Sequence, residues 1–253
     1  MQISGFVLHL MRAEKRRANA RELKEKCGLD AEIWPAVDGS KLPSSDLAAI
    51  VREHVFDPPY PFPLKTGEIG CFLSHRQMWA EIVRRGVPAA FIIEDDAGID
   101  PVKFASAMEM AKERIQQLGY IQFQTRAPRD PKYLVDSAGG CALTIPHEGG
   151  LRTTAQMVSQ EAAQHLLEAS ETIDRPVDTF VQSHWHTGLR PAAIYPSGVL
   201  EIAHTLDGTT IQGGQKKTLM EKLRREIARG RYRKAVKRLS RHSEAPCKGG
   251  IHG

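Results

Sequence analysis

Residues 88–97 read PAAFIIEDDA, an apolar run that ends in three consecutive carboxylates, Glu94, Asp95 and Asp96. In an extended segment the side chains at i and i+2 share a face, so Glu94 and Asp96 point together while Asp95 points away. Two hard oxygen ligands of this kind suit Mg²⁺ or Mn²⁺, which fill their remaining positions with water and substrate oxygens. Such an ion offsets carboxylate repulsion and neutralises a departing diphosphate. The alternative is a solvated acidic loop, because charged residues are mostly exposed. A phospho-receiver module also ends a strand in an acidic pair, with a later strand-end aspartate for which Asp136 can pose. It then needs a downstream lysine at the phosphoryl group, and no lysine lies between Lys132 and Lys216.

The elements that must position the triplet are legible from period and punctuation. Ile3 to Leu10 reads as a first strand, followed by a helix over Arg12–Lys26 closed at Gly28. A second strand fits Ala31–Val37 and runs into the turn Asp38-Gly39-Ser40. DPPYPFP at 57–63 is neither helix nor sheet, since proline lacks the donor that both require. The spacing of Ile69, Phe72, Leu73, Trp79, Ile82 and Val83 predicts a helix from about Thr66 to Gly86. The strand PAAFII, a helix over 101–118 and a strand at 120–124 follow. CALTI at 141–145 and TTAQMV at 153–158 read as a strand pair around PHEGG, before a helix at 160–170. Strands alternating with helices predict a mostly parallel sheet covered on both faces and ligands at the strands' carboxyl ends.

With 253 residues, 41% hydrophobic and 26% charged, the chain has ordinary globular composition and can bury a core without staples. Cys27, Cys71, Cys141 and Cys247 form no CxxC pair, which argues against a zinc or disulfide framework and for a reducing, cytoplasmic setting. The N-terminal apolar stretch is too short for a bilayer, and its basic residues follow rather than precede it. The net charge of +5 is uneven: residues 216–241 hold twelve Lys or Arg against two Glu, leaving an acidic body.

Four blocks together resemble glycosyltransferase family 25, the lipooligosaccharide-type sugar transferases of bacteria. They are LHLMRAEKRR, AEIWPAVDGS, GEIGCFLSHRQMWAEIV and FIIEDDA, in the family's order. A fifth, TAQMVSQEAAQHLL followed by IDRPVDTFV, is similar to a later segment, so the likeness covers roughly residues 1–185. His9 stands where Asn is usual, and Ala97 replaces Val. The resemblance implies a GT-A-like (Rossmann-like) fold and metal-dependent, inverting transfer of a hexose, often galactose, from a UDP-sugar to a cell-envelope glycan of LPS or lipooligosaccharide type, a saccharide or lipid-linked acceptor.

It also implies roles. Asp96 and Glu94 are the expected metal ligands for Mn²⁺ or Mg²⁺, and Asp95 contacts ribose or metal. Arg12 and Arg16 meet a phosphate or the uracil, or else face solvent on a basic helix. Asp38 binds the nucleoside or stabilises its own turn. Ser74 and His75 line the site or are satisfied core groups, and Glu68 does the former or favours the helix dipole. Inversion needs a base to take the acceptor's hydroxyl proton. Asp178 is the first choice and Asp174 the second, each with an N-cap as its alternative. Apart from the resemblance, His184 and His186 in SHWH share a face if extended, so that one of them completes the metal shell; the alternative is an exposed or packed pair beside Trp185.

The expected division is a catalytic domain over 1–212 and a basic amphipathic segment over 213–253, one or two helices outside the main fold. That segment can lie on an anionic membrane, giving a cytoplasmic protein peripheral to the inner membrane's cytoplasmic face. Nucleic acid is not expected as a partner, because only Tyr232 interleaves the charges. A catalytically idle relative that binds a glycan or partner is the alternative to an enzyme.

Overall fold

The computed structural model describes residues 2–128, 131–206 and 218–245. The boundary expected at 212/213 and Cys247 therefore lie outside the described residues. One eight-stranded sheet organises the chain, in the order β2-β1-β3-β8-β5-β9-β7-β6. Its strands are β1 (Ile3–His9), β2 (Asp30–Pro35), β3 (Ala89–Glu94), β5 (Tyr120–Phe123), β6 (Pro131–Ala138), β7 (Cys141–Pro146), β8 (Ala155–Ser159) and β9 (Ala192–Tyr195). All except β7 and β8 run in one direction, as the alternation of strands and helices predicts. A separate two-stranded ribbon joins β4 (Ala97–Ile99) to β10 (Val199–Glu201) just beyond the acidic triplet.

Alternation along β3 explains why both faces are covered. Ala89, Phe91 and Ile93 enter one core with α1 (Arg17–Lys26) and α4 (Pro101–Leu118). Ala90 and Ile92 enter the other, with α3 (Thr66–Arg85), α5 (Gln160–Ala169) and α6 (Val177–Gln182). A strand apolar on both sides is the signature of a sheet buried between two helical layers.

Three expectations change. The segments at 141–145 and 153–158 do not pair with each other: β8 inserts antiparallel between β3 and β5, while β7 pairs with β6 and β9. β8 is buried at every position, so both of its edges need partners, and a hairpin with β7 supplies only one. The helix expected from Arg12 begins at Arg17, because Leu10–Ala13 makes a tight turn and residues 14–16 a single 3-10 turn. The short α2 (Ser44–Ile50) and strand β6 were not anticipated.

The basic segment forms one helix, α8 (Leu219–His242), whose N-terminus is closed by a Thr218–Glu221 capping box. Its second half packs on the body: Val236 and Ser240 are buried, and the Tyr232 ring meets Tyr60 edge-on at 5.6 Å. Arg190 donates to the carbonyls of Ser240 and Ser243 near the helix end. Met220, Leu223 and Ile227 in the first half remain exposed.

Candidate active site

The carboxyl end of β3 gathers the chemistry, and the strand's alternation decides which way each carboxylate turns. Asp95 continues the Phe91–Ile93 face toward α1 and is 5% exposed. It accepts from His9 Nδ1 at 2.7 Å, from the Leu10 amide at 3.3 Å and from Arg16 Nη1 at 3.1 Å. Asn19 on α1 donates to the carbonyls of Asp95 and Ala97, both at 2.8 Å, which fixes the backbone of the turn. Asp95 is thus the buried anchor of the triplet. Arg16, also buried, reaches Asp96 Oδ2 at 3.0 Å with the same nitrogen, so it faces carboxylates and not solvent.

Glu94 continues the Ile92 face toward α3. His75 Nε2 lies 3.1 Å and Thr153 Oγ1 2.9 Å from its Oε1, with the Cys71 thiol at 4.0 Å. His75 is fully buried and its Nδ1 lies 2.7 Å from Gln156 Nε2; the same amide's oxygen accepts from the Tyr120 hydroxyl. Burial would raise Glu94, but the hydrogen bond and charge of His75, with Thr153 and Arg16, hold it below the usual carboxylate range.

Asp96 has the opposite fate. Burial, then the charge of Glu94, push its carboxyl up to about 6 despite Arg16. Asp178, at the start of α6, is likewise raised by burial, with Glu94 adding to it. Asp178 accepts from the amides of Arg152 (3.2 Å) and Thr179 (2.7 Å) and from the Thr179 hydroxyl (3.1 Å). Three carboxylates therefore share one field that Arg16 and His75 only partly offset. The side chains of Glu94 and Asp96 are 27% and 23% exposed, at a surface and not free in bulk solvent.

The loop after β2 closes one side. Asp38 makes an Asx turn with Ser40 and pairs with Arg12 Nε at 2.9 Å. Ser74 Oγ accepts from the Val37 amide at 2.8 Å and donates to the Gly70 carbonyl at 2.7 Å, tying this loop to α3. The contact is backbone on backbone: a Cβ on Gly70 would lie 2.7 Å from both the Gly39 nitrogen and the Val37 oxygen. Glu68 accepts from the Lys65 amide and closes the N-terminus of α3.

Other expected residues lie elsewhere. Asp174 accepts from the amides of Val55 and Phe56 and pairs with Arg175 Nε at 2.7 Å, inside the body. Arg175 is fully buried and also donates to the carbonyls of Phe56 and Pro58, so the pair holds the proline-rich loop. His184 and His186 sit on the short helix α7 (His184–Thr187), where i and i+2 diverge. His184 binds the Ser243 hydroxyl and the His147 carbonyl, whereas the His186 ring packs on Phe56 at a 45° tilt, centroids 4.0 Å apart.

Sequence reasoning missed Asn19, Thr153, Gln156 and Arg152. Arg152, at φ 83°, turns its amide to Asp178 and pairs its guanidinium with Glu201 on β10; Arg126 lies 3.8 Å from the same carboxylate. Only the left-handed backbone of a non-glycine residue marks it, and a sequence does not display that.

A two-sided α/β sheet whose acidic strand end leads into a short ribbon is the arrangement of a Rossmann-like glycosyltransferase fold. The model of "Glycosyltransferase family 25 (LPS biosynthesis protein)" matches residues 2–181, and the chain belongs to that family. A "Glycosyltransferase 25 family member" of Anopheles gambiae is 34% identical over 83% of this chain and 40% of its own length. "Procollagen galactosyltransferase 2" of Homo sapiens is 30% identical over 70% of this chain and 29% of its own. "Inactive glycosyltransferase 25 family member 3" of Mus musculus is 31% identical over 70% and 31%. The chain thus spans less than half the length of these relatives.

Proposed function

We propose that this chain transfers a hexose, galactose first, from a UDP-sugar to a hydroxyl of a glycan acceptor, with inversion. The carrying observation is the incompletely neutralised set Glu94, Asp96 and Asp178, with Asp96 pushed up to about 6. The name of the human relative supports galactose. That name also loosens the expected restriction to cell-envelope acceptors, since it points to procollagen where the family description points to LPS.

The donor set fits a hard divalent cation: two partly exposed carboxylates, in a field that raises one of them, gain most from added positive charge. Asp96 and Glu94 would hold Mn²⁺ or Mg²⁺, and a bound ion would supply positive charge to the departing diphosphate. In this reading Asp95, locked by His9, Arg16 and Asn19, keeps the turn in place. Arg152 and Arg126 bind the donor's phosphates, and the Arg12–Asp38 loop receives the nucleoside. Asp178 takes the acceptor's hydroxyl proton on a carboxylate oxygen. Its raised proton affinity brings it nearer the working pH of a general base, and its bonds from Arg152 and Thr179 fix its direction.

The test measures UDP-hexose hydrolysis and transfer with Mn²⁺ present or chelated, alongside calorimetry of UDP with Mn²⁺. Asp96→Ala should lose Mn²⁺-dependent UDP binding, and Asp178→Asn should lower kcat about 10²–10⁴-fold while still binding UDP. Undiminished turnover in Asp96→Ala refutes the metal assignment. A wild type that binds neither UDP nor metal is an idle module, the second reading that the mouse relative's name favours.

We further propose peripheral docking on an anionic membrane, at its cytoplasmic face. Among the described residues no helix is long and apolar enough to cross a membrane. The exposed Met220, Leu223 and Ile227 recur at helical spacing among the basic residues of α8, as in helices that lie in a lipid interface. Leu223→Glu with Ile227→Glu should abolish cosedimentation with vesicles of mixed anionic and neutral lipid, and retained binding would exclude docking through this stripe.

A further inference from the structure

We propose that Cys71, His75 and Glu94 form a second, softer metal site, selective for Zn²⁺ or Co²⁺ over Mg²⁺. Cys71 and His75 are four residues apart on α3 and so lie on one face of it, turned toward the end of β3. One ligand atom from each of the three residues lies within 4.8 Å of the others. Zinc bonds of about 2.0–2.3 Å at tetrahedral angles put ligand atoms about 3.3–3.8 Å apart. His75 Nε2 and Glu94 Oε1 are 3.1 Å apart, and Cys71 Sγ and Glu94 Oε1 are 4.0 Å apart, each within about half an ångström of that spacing. Three protein ligands leave a fourth position for water or an anionic oxygen, on the exposed side of Glu94.

A second observation comes from the groups around these ligands. A metal-bound histidine carries its proton on the other ring nitrogen and donates it to an outer partner. His75 Nδ1 already faces the Gln156 amide, which in turn faces the Tyr120 hydroxyl. Rotating that amide makes its oxygen the acceptor for Nδ1–H and its nitrogen the donor to the Tyr120 oxygen, so both heavy-atom contacts survive and the Tyr120 hydroxyl turns from donor to acceptor toward the amide. His75 gives up its Nε2 proton and carries one on Nδ1, and the Cys71 thiol gives its proton to solvent, so at least one proton is released per ion bound. The thiolate sets the selectivity, because soft sulfur favours zinc over magnesium. Glu94 also belongs to the carboxylate set described above. That zinc would withdraw Glu94 from a hard cation rests on the metal reading given there, whereas zinc binding itself does not.

The experiment titrates Co²⁺ into chelator-treated full-length protein and reads the near-ultraviolet thiolate-to-cobalt charge-transfer band, then displaces the ion with Zn²⁺. The wild type should show the band at one ion per chain, and Zn²⁺ should erase it while excess Mg²⁺ does not. Cys71→Ser should lose the band and His75→Gln should weaken Co²⁺ binding at least about tenfold. Cys27→Ser and Cys141→Ser should keep it, and circular dichroism confirms that each variant is folded. Absence of the band in wild type, its survival in folded Cys71→Ser, or its erasure by Mg²⁺ overturns the proposal.

Discussion

Replacing Asp96 by Asn should stabilise the protein while removing a metal ligand. The carboxyl stands at about 6 in the folded chain against an ordinary 3.8, a difference of about two units. At about 1.4 kcal/mol per unit, ionising Asp96 in place costs roughly 3 kcal/mol, an upper bound because the side chain is 23% exposed. The folded value lies above the unfolded one, so the native state holds the extra proton between these two pH values. Stability therefore declines as pH rises through that window, and the full penalty applies above about pH 6. An uncharged Asn keeps an oxygen for Arg16 and escapes the penalty. With chelator at about pH 7.5, Asp96→Asn should be more stable by about 1–3 kcal/mol, roughly 2–4 °C in Tm for each kcal/mol. Near pH 3, below both values, the difference should all but vanish, since the carboxyl is then largely protonated in the folded and the unfolded chain alike. Urea denaturation at the two pH values measures it. A variant no more stable than wild type at the higher pH, or a gain that persists unchanged at the lower, would refute the claim that carboxylate repulsion is stored there.

Gly70→Ala should separate the Asp38 loop from α3 and cost about 2–4 kcal/mol, because the new Cβ meets backbone on both sides and backbone yields poorly. Thermal melts register the loss, and hydrogen exchange should localise it to residues 36–42 and the first turns of α3. Asp174→Asn leaves fully buried Arg175 without its counter-charge and should cost about 3–5 kcal/mol by denaturant titration. Because the pair lies outside the carboxylate set, Mn²⁺ affinity of the folded fraction should not change; a variant that loses affinity without losing stability would place Asp174 in the site.

The triplet was legible because an apolar run apolar on both faces has to be a central strand, and its carboxyl end is where such sheets bind ligands. Helix α3 was legible from spacing alone. The partners of those carboxylates were not. Asn19, Thr153 and Gln156 are ordinary polar residues; α1 brings the first to the triplet, and β8, a strand whose place depends on contacts with residues far off in the chain, brings the other two. Asp174 and Asp178 look alike in IDRPVDTFV, yet Arg175 turns one into a loop anchor while the other stays beside Glu94. The tail's charges suggested an appendage, but periodicity does not show that Tyr232 and Val236 find apolar partners on the body.

The insertion of β8 also sets a schedule for synthesis. Strands β1, β2 and β3 are complete once residue 94 has been made, but the free side of β3 waits for residues 155–159. At about 5–20 residues per second, that open hydrogen-bonding rim persists for roughly 3–13 s on the ribosome. Until β8 arrives, the nascent chain carries a hydrophobic ledge able to recruit foreign strands. Stalled or truncated products ending between 95 and 154 would therefore be the aggregation-prone species of this gene's output, whatever the finished protein's solubility.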